Sequence, residues 1–166
     1  MTESATAEVL SALSARGLTI AVAESLTGGM LTSELVDVPG ASECLLGGIV
    51  AYNTHLKATV LGVDAATLAT HGAVHPDVAR GMAVGVRHAL AVDGHDAAIG
   101  IATTGVAGPD LQDGQPVGTA FIALSSAEET RIVELHITGD RQAIRRQVVS
   151  ESIVLLQEYV ANLSNA

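Results

Sequence analysis

Ser25, Tyr52 and Lys57 carry a hydroxyl, a phenol and an amine, the groups that nucleophilic and acid–base catalysis draws on. Ser25 stands in Ala23-Glu24-Ser25-Leu26-Thr27-Gly28-Gly29, at the exit of a short apolar run. Lys57 is the only lysine of the chain and follows Tyr52 by five residues in Tyr52-Asn53-Thr54-His55-Leu56-Lys57. Tyr52 is one of three aromatic residues, with Phe121 and Tyr159. Burial lowers the pKa of a lysine amine, which can then act as a base near neutral pH. Such an amine could take the proton of a serine hydroxyl, with a tyrosine hydroxyl relaying it or stabilising charge. Ser25, Tyr52 and Lys57 are therefore the candidate catalytic residues of a lysine-assisted serine hydrolase.

Each has a plainer reading beside it. By local spacing alone, capping of the next helix by Ser25 or Thr27 outweighs catalysis. A random lysine would sit on the surface; here arginine supplies every other positive charge, which favours a role for Lys57. Gly28 and Gly29 leave backbone N–H groups open where Thr27-Gly28-Gly29 enters a helix, and a helix N-terminus favours an oxyanion or a phosphate. The loop Thr103-Thr104-Gly105-Val106-Ala107-Gly108-Pro109-Asp110 has the small residues of a ligand-approach segment, with Thr104 and Gly105 as candidate donors. It carries no phosphate-loop or dinucleotide fingerprint. Arg141, Arg145 and Arg146 form the one basic concentration, enough to grip a phosphate. The six histidines are scattered; His71 and His75 are separated by Gly72, so a metal pair on one helical face is not expected. Cys44 has no basic neighbour in sequence and reads as an inert small hydrophobe.

Residues 3–16 form an amphipathic helix stopped by Gly17. Residues 18–23 are a buried strand, 24–27 a turn, and 28–36 a helix ended by Pro39-Gly40. Residues 45–53 are a second strand, with Gly47-Gly48 allowing close backbone approach. Short helices carry residues 55–61 and 64–72, the second capped by Asp64. Pro76 opens a longer helix to about residue 92, with His75 at its cap. Asp93-Gly94-His95-Asp96 is a turn before a third strand, 96–103, buried on both faces. After the 104–116 loop, strands 117–124 and 131–138 make an antiparallel hairpin. Asp140 caps a last helix to about residue 160. The order predicts an α/β domain with a mixed sheet and helices on both faces. Ligands bind beyond the carboxyl ends of strands in such sheets, where the 24–29, 52–57 and 103–116 loops all fall.

Composition sets the frame. A chain of 166 residues is one domain by default and can bury a core without staples. The hydrophobic share of 48% against 16% charged excludes disorder. A formal charge of -10 disfavours nucleic acid as a partner. No apolar run suits a membrane span, and the first residues lack the basic and apolar regions of a signal peptide. One cysteine forms no internal disulfide, which points to a reducing cytoplasm.

Taken together these segments resemble the CinA C-terminal domain family, the nicotinamide mononucleotide deamidases. The resemblance rests on the Ala23–Gly29 segment, Val38-Pro39-Gly40-Ala41-Ser42, residues 48–57, His71-Gly72-Ala73-Val74, Thr104-Gly105-Val106-Ala107-Gly108-Pro109, Pro116-Val117-Gly118-Thr119, and Gly139-Asp140-Arg141 with Arg145-Arg146. It implies a single three-layer α/β/α domain over residues 1–166. It also implies hydrolysis of the carboxamide of nicotinamide mononucleotide, without cofactor or metal. The family's catalytic serine, tyrosine and lysine fall on Ser25, Tyr52 and Lys57. This lifts Ser25 above the capping reading. Thr27, Gly28, Gly29, Thr104, Gly105, Arg141 and Arg145 are the expected substrate-binding residues, with a small nucleotide as partner and a homodimer as the implied assembly. Asn53-Thr54-His55-Leu56 replaces the family's usual Ser-Asn-Glu-Ala, 110–115 replaces its usual glycine-rich stretch, and Gln115 replaces a lysine. Another amide substrate, or a non-catalytic nucleotide-binding module related to competence, are the alternatives these changes leave.

Overall fold

A computed structural model describes residues 4–163. The elements run α1 Ala5–Ala15, β1 Ile20–Glu24, α2 Met30–Val36, β2 Leu45–Val50, α3 Thr54–Thr59, α4 Ala65–His71, α5 Pro76–Ala89, β3 Ile99–Gly105, β4 Thr119–Ser125, β5 Thr130–His136 and α6 Arg141–Leu163. The expected start of the first helix, residue 3, lies outside the described residues.

The sheet has the order β2-β1-β3-β4-β5. β1 runs parallel to β2 and β3; β4 runs antiparallel to β3 and β5. β1, β3 and β4 carry the buried apolar runs, because each has strands on both edges and helices on both faces. On one face Leu13, Leu31, Leu35, Ile144 and Leu156 of α1, α2 and α6 pack on Ile20, Val22, Ile101 and Ile122. On the other Val78, Met82 and Val86 of α5 meet Ala23, Ala102 and Phe121. The result is the expected α/β/α sandwich with a mixed sheet.

Small residues make the layers close. A Cβ on Gly100 of β3 would lie 2.0 Å from the Ala83 carbonyl oxygen of α5. Boundaries shift where the backbone chemistry demands it. α2 begins at Met30 rather than residue 28, because Gly28 (φ 59°) and Gly29 (φ 98°) turn left-handed first. β2 stops at Val50, after which Asn53 caps α3 by accepting from His55 N–H at 2.9 Å. α5 ends at Ala89 because Val92 and His95 exchange backbone hydrogen bonds around Asp93-Gly94, the turn expected there. β3 accordingly starts at Ile99. Asp64, His75 and Asp140 cap α4, α5 and α6 as the sequence suggests.

The carboxyl end of β1 sends consecutive side chains to opposite faces. Glu24 enters the α2 side and is fully buried. Its carboxylate accepts from the N–H groups of Gly29 (2.9 Å), Leu31 (3.1 Å) and Thr32 (2.8 Å) and from the Thr32 hydroxyl (2.7 Å). It thereby satisfies donors that a helix start leaves open and sits at the positive end of the helix dipole. Thr32 in turn lies so near β2 that a Cβ on Gly48 would be 2.1 Å from its hydroxyl oxygen. Ser25, one residue on, faces α3.

Candidate active site

Three strand ends deliver the site. Ser25 follows β1 and donates its N–H to the Thr103 carbonyl of β3 at 3.0 Å. Lys57 comes from α3, just after β2, and is wholly buried. Its Nζ donates to Ser25 Oγ at 3.0 Å and to the Ala51 carbonyl at 2.8 Å. Burial pulls the Lys57 pKa down from 10.5 to about 8, and the negative charge of Asp113 works against that fall. Both hydrogen-bond acceptors are neutral, so no contact ion pair holds the proton on the amine. A neutral Lys57 can give one N–H to Ala51 and present its lone pair to the Ser25 hydroxyl. That is the geometry of a base beside a nucleophile.

Ser25 opens onto a cavity of about 150 Å3 whose walls include Tyr52, Gly105, Asp110 and Arg141. Tyr52 is 59% exposed. Its hydroxyl oxygen accepts from Arg141 Nη2 at 2.9 Å, while Arg141 Nη1 donates to the Gly108 carbonyl at 2.6 Å. Arg141 thus straps the tyrosine to the 104–116 loop across the cavity. Tyr52 makes no hydrogen bond to Ser25 or Lys57, so the expected direct relay is not formed in this arrangement.

Several expected ligand residues are turned into the fold instead. The Thr27 hydroxyl pairs with that of Thr103 at 2.7 Å, fully buried. Thr104 donates its hydroxyl to the Ala73 carbonyl at 2.7 Å. Arg145 grips the turn itself, Nε to the Leu26 carbonyl at 2.8 Å and Nη2 to that of Thr27 at 2.9 Å. The helix end at Gly28-Gly29 is not an open anion site: Gly28 N–H bonds Ser25 O, and Gly29 N–H bonds Glu24. Among the described residues the turn's remaining donors are the N–H groups of Leu26 and Thr27, which have no acceptor in the chain. Gly105 does reach the cavity wall, and a Cβ there would press on Ala120 at 2.7 Å.

Three contributors escaped the sequence reading as functional residues: the Glu24 carboxylate, the Ala51 carbonyl and Asp113. Asp113-Gly114 was readable as a tight-turn pair, but nothing local says what the turn reaches. His71 and His75 stack with ring centroids 4.0 Å apart, because the chain reverses at Gly72 (φ 74°), a contact that helical spacing did not anticipate. Cys44 is buried, which raises its pKa and suits the inert reading. Among the described residues no cluster of three His, Cys, Asp or Glu could hold a metal ion, and no helix is long and apolar enough to cross a membrane.

Fold and site together define a mixed-sheet α/β/α domain with a buried serine–lysine pair at the strand ends. The chain belongs to the CinA C-terminal domain family, whose model matches residues 2–160. It is 46% identical over 158 residues to a CinA-like protein of Frankia casuarinae, covering 95% of this chain and 35% of that protein. It is 47% identical over 142 residues to a putative competence-damage inducible protein of Bacillus pumilus, covering 86% of this chain and 33% of the relative. The chain spans about a third of the length of the curated relatives it matches. A CinA superfamily protein from Klebsiella pneumoniae superposes with a TM-score of 0.88 at 33% identity, over 95% of this chain and 96% of that one.

Proposed function

We propose that this domain is a cytoplasmic amidohydrolase that converts nicotinamide mononucleotide to nicotinic acid mononucleotide and ammonia. The observation that carries the reading is the 3.0 Å contact between Ser25 Oγ and a wholly buried Lys57 Nζ. Family resemblance supplies the substrate. In the reaction, neutral Lys57 accepts the Ser25 proton as Oγ attacks the carboxamide carbon. The oxyanion is stabilised by the spare N–H groups of Leu26 and Thr27. Lys57 then returns the proton to the leaving nitrogen, and ammonia departs from an acyl-Ser25 ester. Water, deprotonated by the same amine, hydrolyses the ester and frees the acid and the serine.

The cavity of about 150 Å3 takes the carboxamide head. A whole mononucleotide needs more room than this, since small-molecule sites run to roughly 300–1,000 Å3. The ribose phosphate therefore lies at the mouth, where the Arg141 fork can leave Tyr52 and Gly108 to pair with the phosphate. Tyr52 holds that fork in place between turnovers, and its hydroxyl becomes free for a proton-relay role when Arg141 leaves it.

Ammonia release from nicotinamide mononucleotide is the test. The wild type releases ammonia; Ser25→Ala and Lys57→Met lose at least about 1,000-fold in rate while staying folded. A folded wild type that turns over a smaller amide instead keeps the machinery and changes the substrate. Binding of the nucleotide without turnover sinks the enzymatic reading.

A further inference from the structure

We infer that Asp110 is a specificity-determining residue: its carboxylate, on the wall of the cavity that Ser25 opens onto, selects an amide carried on a positively charged ring. The inference deepens the amidohydrolase reading and rests on it for the chemistry at Ser25.

Among the described residues that line this cavity, Asp110 and Arg141 are the charged ones. They have opposite signs and are not spent on each other. Arg141 gives Nη1 to the Gly108 carbonyl at 2.6 Å and Nη2 to the Tyr52 hydroxyl at 2.9 Å. Asp110 has neither a cation at ion-pair distance nor a hydrogen-bond donor among the described residues. A space of about 150 Å3 thus presents an uncommitted carboxylate and a strapped guanidinium beside the serine.

The loop is tied on both sides of Asp110. Arg141 holds it at Gly108. Beyond, Gln112 and Gln115 exchange backbone hydrogen bonds at 3.1 Å and 2.8 Å, and Asp113 Oδ2 accepts from Ala73 N–H at 2.7 Å. Between these ties Asp110 and Gln112 line the cavity wall, while Leu111 is 69% exposed. Burial of apolar surface would favour the reverse, with the leucine inward. Turning the polar neighbours to the cavity and leaving the leucine in water suits a wall that meets a polar ligand.

The signs of the two charges say which ligand fits. The ring of nicotinamide mononucleotide is positive at the nitrogen, one carbon away from the carbon that bears the carboxamide. With the carboxamide at Ser25, that charge lies inside the same small space, where Asp110 forms part of the wall. The phosphate is the anion for Arg141. Cation and anion on the substrate then meet anion and cation on the protein. Hydrolysis turns the neutral carboxamide into a carboxylate and so sets a negative charge near Asp110. The residue that favours the substrate therefore disfavours the product and hastens its release. Asp110 is exposed, so water and salt weaken its pull without abolishing it.

Oxidised and reduced nicotinamide mononucleotide isolate this charge: both carry the carboxamide, ribose and phosphate, and the reduced ring is neutral. Calorimetric binding is measured on the full chain carrying Ser25→Ala, which cannot form the acyl-enzyme. The oxidised form is expected to bind about tenfold more tightly than the reduced form at low ionic strength, and the ratio shrinks as salt is added. Adding Asp110→Asn should bring the ratio to about one, and Asp110→Glu should restore most of it. The product, nicotinic acid mononucleotide, should bind about tenfold more tightly once Asp110→Asn is introduced. A ratio that stays at roughly tenfold in Asp110→Asn overturns the inference even where both affinities fall, because disturbance of the loop alone weakens both forms alike. A ratio of about one before Asp110 is changed overturns it too. If the wild type releases no ammonia while Asp110→Asn still collapses the ratio, the amidohydrolase reading fails and the charge selection by Asp110 stands. A chain that binds neither nucleotide overturns both.

Discussion

At the scale of the residue, Lys57 trades stability for reactivity. Its pKa is about 8 in the fold against 10.5 when free. Below pH 8 the amine is charged in both states, and the folded protein bears the full cost of burying that charge. Between about 8 and 10.5 the unfolded chain binds more protons than the folded one, so rising pH stabilises the fold. Lys57→Met should therefore raise the melting temperature at pH 7 by the equivalent of about 1–3 kcal/mol, less what the unpaired Ala51 carbonyl costs. The gain should shrink as pH climbs from 8 to 10.5; melts of both proteins across that range check the sign. For the same reason, amide hydrolysis should increase with pH up to a midpoint near 8. The meeting of Ser25 and Lys57 was legible because Lys57 is the chain's only lysine and Ser25 stands on a strand-to-helix turn. The side chains of Thr27, Thr104 and Arg145, expected at the ligand, hydrogen-bond within the chain. A polar side chain at a loop faces a ligand or a backbone carbonyl according to contacts made far away in sequence, and no local pattern carries that choice.

At the scale of the element, the turn between β1 and α2 holds Ser25, the proposed nucleophile, in place. Glu24 closes the start of α2 from within, and Arg145 of α6 clasps the carbonyls of Leu26 and Thr27 from outside. Glu24→Ala would strand three backbone donors in a dry layer, and a loss of about 2–4 kcal/mol in chemical denaturation is expected. A cost below about 0.5 kcal/mol would mean that water replaces the carboxylate freely. Arg145→Lys, which cannot span two carbonyls in the same plane, should lower the rate of acylation more than it raises KM. Strands and helices were readable to within a few residues from apolar runs, Pro76 and the Asp caps. The start of α2 was not, because Gly28 and Gly29 adopt left-handed backbone that the flanking patterns do not announce.

At the scale of the whole molecule, a formal charge of -10 is spread over a 166-residue fold with few surface ion pairs. Mutual repulsion is screened by salt, so the melting temperature should rise between low and physiological ionic strength; a flat response would show that the charges are already dispersed beyond one another's reach. The layered architecture followed from the order of apolar segments, whereas the sheet order did not, since nothing along the chain says that β1 lies between β2 and β3. That central position gives the pleat of β1 a further meaning. It keeps the Glu24 carboxylate and the Ser25 hydroxyl, consecutive in the chain, on opposite sides of a wall, with the Lys57 amine on the serine's side. Deleting or inserting a single residue in 20–24 would swing the carboxylate to the side of the amine. A carboxylate would then meet the amine where the proposed nucleophile now stands, so the proposed chemistry depends on a reading frame of backbone as strict as that of a coding sequence.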